Sequence, residues 1–383
     1  MLESIAAGAA RWLRARRQPA APPRRPFAQG AGVAFVVQVD APTRVNPDEA
    51  YDSNIASTRL RVIAPARQLA RRVPVWLVPL EEFLRDPALT GLGEVGAVVL
   101  GKLPTQEMLR LRATLAELLA RIGARRPGTA LYADLPDDLG ALGKAMGAPF
   151  LAEYQKGLGA CCTFIAPCRA LAESVARDAQ RGIVVVEDPY ETPQRAVRAT
   201  ASSPLRLMWF GNLGLVNAPA LEVELAALAG RFRDTALHVE MVAHEDVAHL
   251  AHAMHARLRA AHPGLKIVFT AWSLQATDEA LQRSDFVLIP QEFRSEWGRV
   301  KSHNRLVTAI RGGRLAIASP IPAYRELADY ARIGADLAAG LRWALARPEQ
   351  AAARVLAGQR HVAQRFAPET IGRKWAAALG IDG

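Results

Sequence analysis

SDFVLIPQEFRSEWGRVKSHNRLVTAIRGGRLAIASP, residues 284–320, is the stretch on which the fold turns. Residues 286–289 are four apolar side chains that stop at Pro290, which reads as a short buried strand. A polar loop, 291–300, follows. Leu306, Val307 and Ile310 then recur at helical spacing as far as Gly312-Gly313, where a helix can end and the chain can turn tightly. A second apolar strand, 315–318, closes at Ser319-Pro320. Strand, helix and strand in this order predict a parallel sheet with covered faces.

The pattern extends in both directions. Upstream, an apolar run at 267–269 leads to Ala271-Trp272-Ser273, and a helix through 278–282 ends at Ser284-Asp285. Further strands are expected at 205–210 and 238–242, and in the first half at 32–37, 75–78, 97–100, 129–132, 163–166 and 183–186. A helix is expected to start near Ser57. Residues 192–204 lack periodicity and contain Pro193 and Pro204, so a linker is placed there. The expected organisation is an α/β unit at 27–197, a second at 203–365, and a C-terminal helix at 366–383 that can pack back on the first unit, within a helical tail from about 339 to 379. Two such units face each other across a cleft at the carboxyl ends of their sheets, where ligands bind.

In the quoted stretch, Lys301-Ser302-His303-Asn304-Arg305 falls where a strand end gives way to a helix. Exposed backbone amides and the helix dipole favour an anion there. Lys301 and Arg305 are four apart, which on one helical face lets both cations meet one diphosphate. Ser302 and Asn304 add a hydroxyl and an amide.

A chain of 383 residues, half of them hydrophobic, suffices for two cores. No apolar run reaches the ~18 residues of a membrane span, and no secretory leader is evident. Cys161, Cys162 and Cys168 are odd in number and close together. They read as buried free thiols in a reducing, cytoplasmic setting. The net charge of +11 is uneven: residues 1–26 carry six arginines against Glu3 alone. Leu2, Ile5, Ala9, Trp12 and Leu13 recur at helical spacing among them, so this segment is either an amphipathic helix for an anionic membrane surface or a solubilising tail. Nothing resembles a nucleic-acid-binding stripe, and no nucleic-acid partner is expected.

Several motifs fail on mechanism. Gly91-Leu92-Gly93-Glu94-Val95-Gly96 has dinucleotide-binding spacing, but its glycines precede a strand instead of following one. His244, His249, His252 and His255 lack metal-ligand spacing and read as a surface helix. Asp134, Asp137 and Asp138 follow the strand at 129–132. They suit a base or metal ligand, or, for Asp137 and Asp138, the first turn of the next helix.

Taken together, Ser284–Pro290, Lys301-Ser302-x-Asn304-Arg305 and Gly313-x-x-Ala316-Ile317-Ala318-Ser319-Pro320 resemble the donor half of GT-B glycosyltransferases of the large group 1 family. Ala323-Tyr324-Arg325-Glu326 is similar to that family's Pro-x-x-x-Glu step, and 207–210 with Gly211-Asn212 to its first donor-domain strand and turn. Ser57-Thr58-Arg59-Leu60-Arg61 with Asn54, and Asp134-x-x-Asp137-Asp138, look like elements of the acceptor half.

The resemblance implies transfer of a sugar from a nucleotide-sugar donor, with no obligatory metal or other cofactor, to a glycan or lipid-linked acceptor in envelope or surface polysaccharide synthesis. It implies a base site near Trp272-Ser273, diphosphate contacts from Gly211, Asn212, Lys301, Ser302, Asn304 and Arg305, and a further donor contact from Glu326. The acceptor would enter near Asp40, Asn54, Arg61 and Asp134, with Asp134, Asp138 or Asp40 in the catalytic role. One departure stands out: many retaining members carry two glutamates eight apart, and Thr308 occupies the second position here. Two rivals follow, a GT-B nucleotide-sugar epimerase and a scaffold that binds without turnover.

Overall fold

The computed structural model describes residues 27–38, 53, 55–198, 200–214 and 217–381. The N-terminal segment 1–26, Asp40 and Asn54 lie outside the described residues.

Two parallel six-stranded sheets form the frame. The first contains β1 (Gly32–Val37), β2 (Val75–Pro79), β3 (Val95–Leu100), β4 (Ala130–Asp134), β5 (Thr163–Ala166) and β6 (Ile183–Val185) in the order β2-β1-β3-β4-β5-β6. The second contains β7 (Leu205–Phe210), β8 (Leu237–Ala243), β9 (Leu265–Ala271), β10 (Phe286–Ile289), β11 (Leu315–Ala318) and β12 (Arg332–Ile333) in the order β12-β11-β10-β7-β8-β9. Helices cover both faces, so central strands such as β1, β10 and β11 are buried at every residue, as continuous apolar runs require.

The orders matter for function. In the first sheet the chain moves outward from β1 to β2, then returns to place β3 on the other side of β1. In the second it runs β7, β8, β9 and returns to place β10 beside β7. At each reversal the following connections diverge to opposite faces and leave a crevice at the carboxyl ends of the two strands. The crevices lie after β1 and β3 in the first half, and after β7 and β10 in the second.

The tail expected from about 339 is three helices, Leu337–Ala346, Pro348–Arg365 and Pro368–Leu379, broken by Pro348 and Pro368. Each proline sits at a helix start, where its missing N–H costs nothing. The last helix leaves the second half and packs on the first. Trp375 is fully buried with its ring 5.8 Å from that of Phe35 on β1. Ile371 and Leu379 join the same cluster with Val33, Ile63 and Leu77. Gly372 allows the close approach, since a Cβ there would come 2.5 Å from the Cβ of Gln68.

The near-dinucleotide motif is a turn followed by strand: Gly96 lies inside β3. Cys162 and Cys168 are buried free thiols and Cys161 is half-buried. No described helix is long and apolar enough to cross a membrane.

Candidate functional site

The second-half crevice is built around Gly211 and Arg305. Gly211 directly follows β7 with φ 147°, a conformation that L side chains rarely adopt. A Cβ there would lie 3.3 Å from Nη1 of Arg305. Arg305 is the second residue of the Asn304–Arg311 helix, and its Nη2 donates to Oε1 of Gln291, which follows β10. One guanidinium therefore spans the ends of the two strands that flank the reversal, beside the N-terminus of a helix with no side-chain cap.

Lys301 corrects one expectation. It is not on the helix. Its backbone is extended (ψ 151°), three residues before the first helical position, so helical spacing to Arg305 does not apply. Its side chain instead crosses to the first half. Nζ lies 2.5 Å from Oδ1 of Asp137 and 3.7 Å from the centre of the Trp297 ring. Lys102, which follows β3 by two residues, donates to the other oxygen of Asp137 at 2.6 Å. One carboxylate thus bridges an ammonium from each half. Burial pushes the Asp137 carboxyl up, but Lys301 and Lys102 reverse this and hold it well below the usual carboxylate range. Burial lowers the Lys301 ammonium, Asp137 opposes that, and Lys102 and Arg305 add repulsion. Three cations thus act at one place with one carboxylate among them.

The pH dependence follows from the sign. A carboxyl depressed in the folded state contributes stability above its unfolded pKa of ~3.9 and loses it as pH falls. Asp137→Asn is therefore expected to destabilise the chain at pH 7, with the gap to wild type shrinking below about pH 4. Denaturant unfolding across pH checks this, and a gap that does not change with pH would contradict the bridging role.

Ser302 donates to Oδ2 of Asp188 at 2.6 Å, another contact between the halves. Asp188 continues to Arg61, whose Nη1 lies 3.2 Å from its Oδ1. Nε and Nη2 of Arg61 bond Asp134 at 3.1 and 2.6 Å, and Nη1 also donates to the carbonyl of Val186. Burial works against the Arg61 charge, but Asp134 and Asp188 outweigh it and raise its pKa. Asp134 is 2% exposed and fully engaged. Asp138 caps the Leu139–Met146 helix by accepting from the Ala141 amide at 2.9 Å, and also accepts from Ser174. Both carboxylates have hydrogen-bond partners in this arrangement, and burial pushes the Asp134 carboxyl up against the opposing pull of Arg61.

Trp272, just past β9, is half-buried. The Arg59 guanidinium of the other half sits 4.3 Å from its ring centre, and the His244 ring lies 5.8 Å away. Arg59 is held in turn by both oxygens of Glu191. The Ser273 hydroxyl caps the next helix through the Ala276 amide at 2.9 Å. Asn212 shapes its own turn by accepting from the Gly214 amide, and Oδ1 of Asn304 accepts from Thr308. Glu326 meets Nε2 of His303 at 3.2 Å and Nη2 of Arg365 at 2.7 Å. The His303 hydrogen bond, opposed by burial and helped by Arg365, brings the Glu326 carboxyl down to about 2. Nδ1 of His303 is buried without a partner among the described residues.

Sequence reasoning missed Lys102, Asp188 and Gln291, and placed Arg59 in an acceptor-half element without its contact to Trp272. Lys102 was findable as the cation just past a strand at the first sheet's reversal; the others act through pairings distant in sequence. The His244–His255 group gathers no metal site. Among the described residues no three His, Cys, Asp or Glu side chains are so placed.

No protein-family model matches the chain, and no curated protein matches it in sequence. Solved structures do match in fold. The E. coli trehalose-6-phosphate protein bound with UDP-2-fluoro glucose aligns at TM-score 0.61 and 9% identity, over 91% of this chain and 99% of that one. Anabaena HepE in complex with UDP and glucose aligns at 0.60 and 14%, over 91% and 98%. The α,α-trehalose-phosphate synthase (UDP-forming) of Burkholderia vietnamiensis aligns at 0.59 and 10%, over 92% and 97%. At these identities the likeness is one of architecture: two parallel six-stranded sheets arranged as in GT-B proteins.

Proposed function

We propose that this GT-B chain is a glycosyltransferase that moves a sugar from a nucleotide-sugar donor to a glycan or lipid-linked acceptor. One observation carries the reading. Arg305 spans the ends of β7 and β10 at the reversal of the second sheet, against a glycine that leaves the backbone open to a ligand. In open α/β sheets that crevice is the ligand site, and a guanidinium beside helix amides suits a diphosphate. The fold neighbours solved with UDP or a UDP-sugar support a donor of this class.

In this reading the base lies near Trp272 and Ser273, displacing or stacking beside Arg59. The diphosphate meets the Gly211 and Asn212 backbone, Arg305, Ser302, Asn304 and Lys301, and Glu326 contacts the donor through the group left free by His303. Arg305 and Lys301 stabilise the negative charge that develops as the nucleoside diphosphate leaves. Lys301 exchanges part of its contact with Asp137 for phosphate, so donor binding and the fit between the halves are linked. The acceptor enters through the first half, near Lys102 and Arg61. An inverting reaction would take its base from Asp134, Asp138 or Asp40. We further propose a role in envelope or surface polysaccharide synthesis at the cytoplasmic membrane face, with residues 1–26 on the anionic lipid surface.

Arg305→Ala is expected to weaken nucleotide-diphosphate binding about 10- to 100-fold, the range of one or two charge-assisted hydrogen bonds. Calorimetric titration with UDP, GDP, TDP and CMP and their sugars tests it and identifies the donor. Undiminished affinity in the variant for every nucleotide that the wild type binds would overturn the site.

A scaffold without turnover is the second reading. It is favoured by Thr308, a buried hydroxyl where many retaining members have a glutamate. Donor binding with neither hydrolysis nor transfer across an acceptor panel would select it.

A further inference from the structure

We propose that Arg332 and Arg354, which meet the Trp343 ring at the outer edge of the second sheet, form with Arg347 at the adjoining helix break a second anion site for a phosphate-class oxyanion, separate from the cleft. Arg332 opens the edge strand β12, where it pairs with Ile317. Its side chain runs beneath the Leu337–Ala346 helix: a Cβ added at Gly340 would lie 3.7 Å from the Cβ of Arg332. The Arg332 guanidinium sits 4.3 Å from the centre of the Trp343 ring, and that of Arg354 reaches the same ring at 5.4 Å.

Arg354 is fixed from behind. Its Nη1 donates to the carbonyls of Ala328, Asp329 and Ala331 at 2.8, 3.2 and 3.3 Å. Arg347 is exposed at the break between the Leu337–Ala346 and Pro348–Arg365 helices, and the second of these begins without a side-chain cap. What distinguishes the group is its missing counter-charge. Burial lowers the Arg332 pKa, and Arg354 and Arg347 lower it further, with no carboxylate among the groups acting on it. Nε of Arg332 is buried without a hydrogen-bond partner among the described residues. The nearby carboxylates are occupied or outward: Asp336 pairs with Arg231, and Asp329 and Glu349 are exposed.

Assembling three cations without an acid is unfavourable unless something anionic completes them. Guanidinium forks match the geometry of a tetrahedral oxyanion, and a doubly charged phosphate balances the cluster better than a carboxylate. A soluble phosphate ester and a lipid headgroup share this chemistry.

The test uses the full chain in an Arg305→Ala background, which weakens the cleft. Inorganic phosphate is titrated by calorimetry into that protein and into the same protein carrying Arg347→Gln or Arg354→Lys. Among the described residues Arg347 makes no hydrogen bond to another side chain, so its variant keeps the fold, as thermal unfolding will verify. Phosphate binding in the background protein, weakened about tenfold by Arg347→Gln, is the expected result. Absence of phosphate binding, or an isotherm unchanged by Arg347→Gln, overturns the proposal. Flotation with phosphatidylglycerol and phosphatidylcholine vesicles then separates the sources. A loss of phosphatidylglycerol binding on Arg347→Gln supports the headgroup, and a phosphate effect without a vesicle effect supports a soluble ester.

Discussion

Arg61→Ala is expected to destabilise the fold by about 3–5 kcal/mol, the cost of breaking a buried ion pair from one side. Arg61 is 1% exposed and is bonded to Asp134, Asp188 and the Val186 carbonyl. Truncation leaves two carboxylates and a carbonyl facing a cavity without their donor, and the uncompensated charges dominate the loss. Removing Asp134 as well should recover part of it, because the two changes share one interaction. Urea unfolding of the two single variants and the double one measures the coupling. A loss below about 1 kcal/mol, or strict additivity, would show that the network contributes little. The variant should also reach the cleft, because Asp188 would lose one of its two partners and hold Ser302 less firmly.

Trp375→Ala is the other large effect, again about 3–5 kcal/mol, from lost burial and the cavity it leaves. The ring is 0% exposed, packs on Phe35 and lies under the Arg61 guanidinium at 5.4 Å. Among the described residues its Nε1 is buried without a partner, so Trp375→Phe removes an unsatisfied donor along with some packing and should cost much less. Denaturant midpoints for the two variants separate these contributions. Equal losses would mean that the ring's size is not what stabilises this contact.

The strands were legible because continuous apolar runs between polar helices have few other readings. Eight of them sit where the pattern puts them to within a residue at either end, β1, β2, β5, β6, β7, β8, β10 and β11. β4 does not. It runs Ala130–Asp134 instead of 129–132, and that shift draws Asp134 into the buried end of the strand, beside Arg61. The carboxylate weighed for proton transfer thereby lies against a buried guanidinium. β12 has two residues and no periodicity to betray it. Lys301 illustrates the larger difficulty. Local spacing suggested a helical partner for Arg305, whereas its conformation is set by Asp137, 164 residues away in sequence. Pairings of that separation leave no mark on local pattern. The cation at a strand end is legible, but the group it meets is not.

The helix that carries Trp375 also bears on how the protein is made. Its apolar face covers β1, an early strand, yet it is translated after every strand of the second sheet. The early half must therefore leave the ribosome with an uncovered greasy surface and wait for the late helix to arrive. During that interval it is a target for holdase chaperones and for premature association. A chain released before residue 368 should be captured by such factors, while one released after residue 379 should escape them.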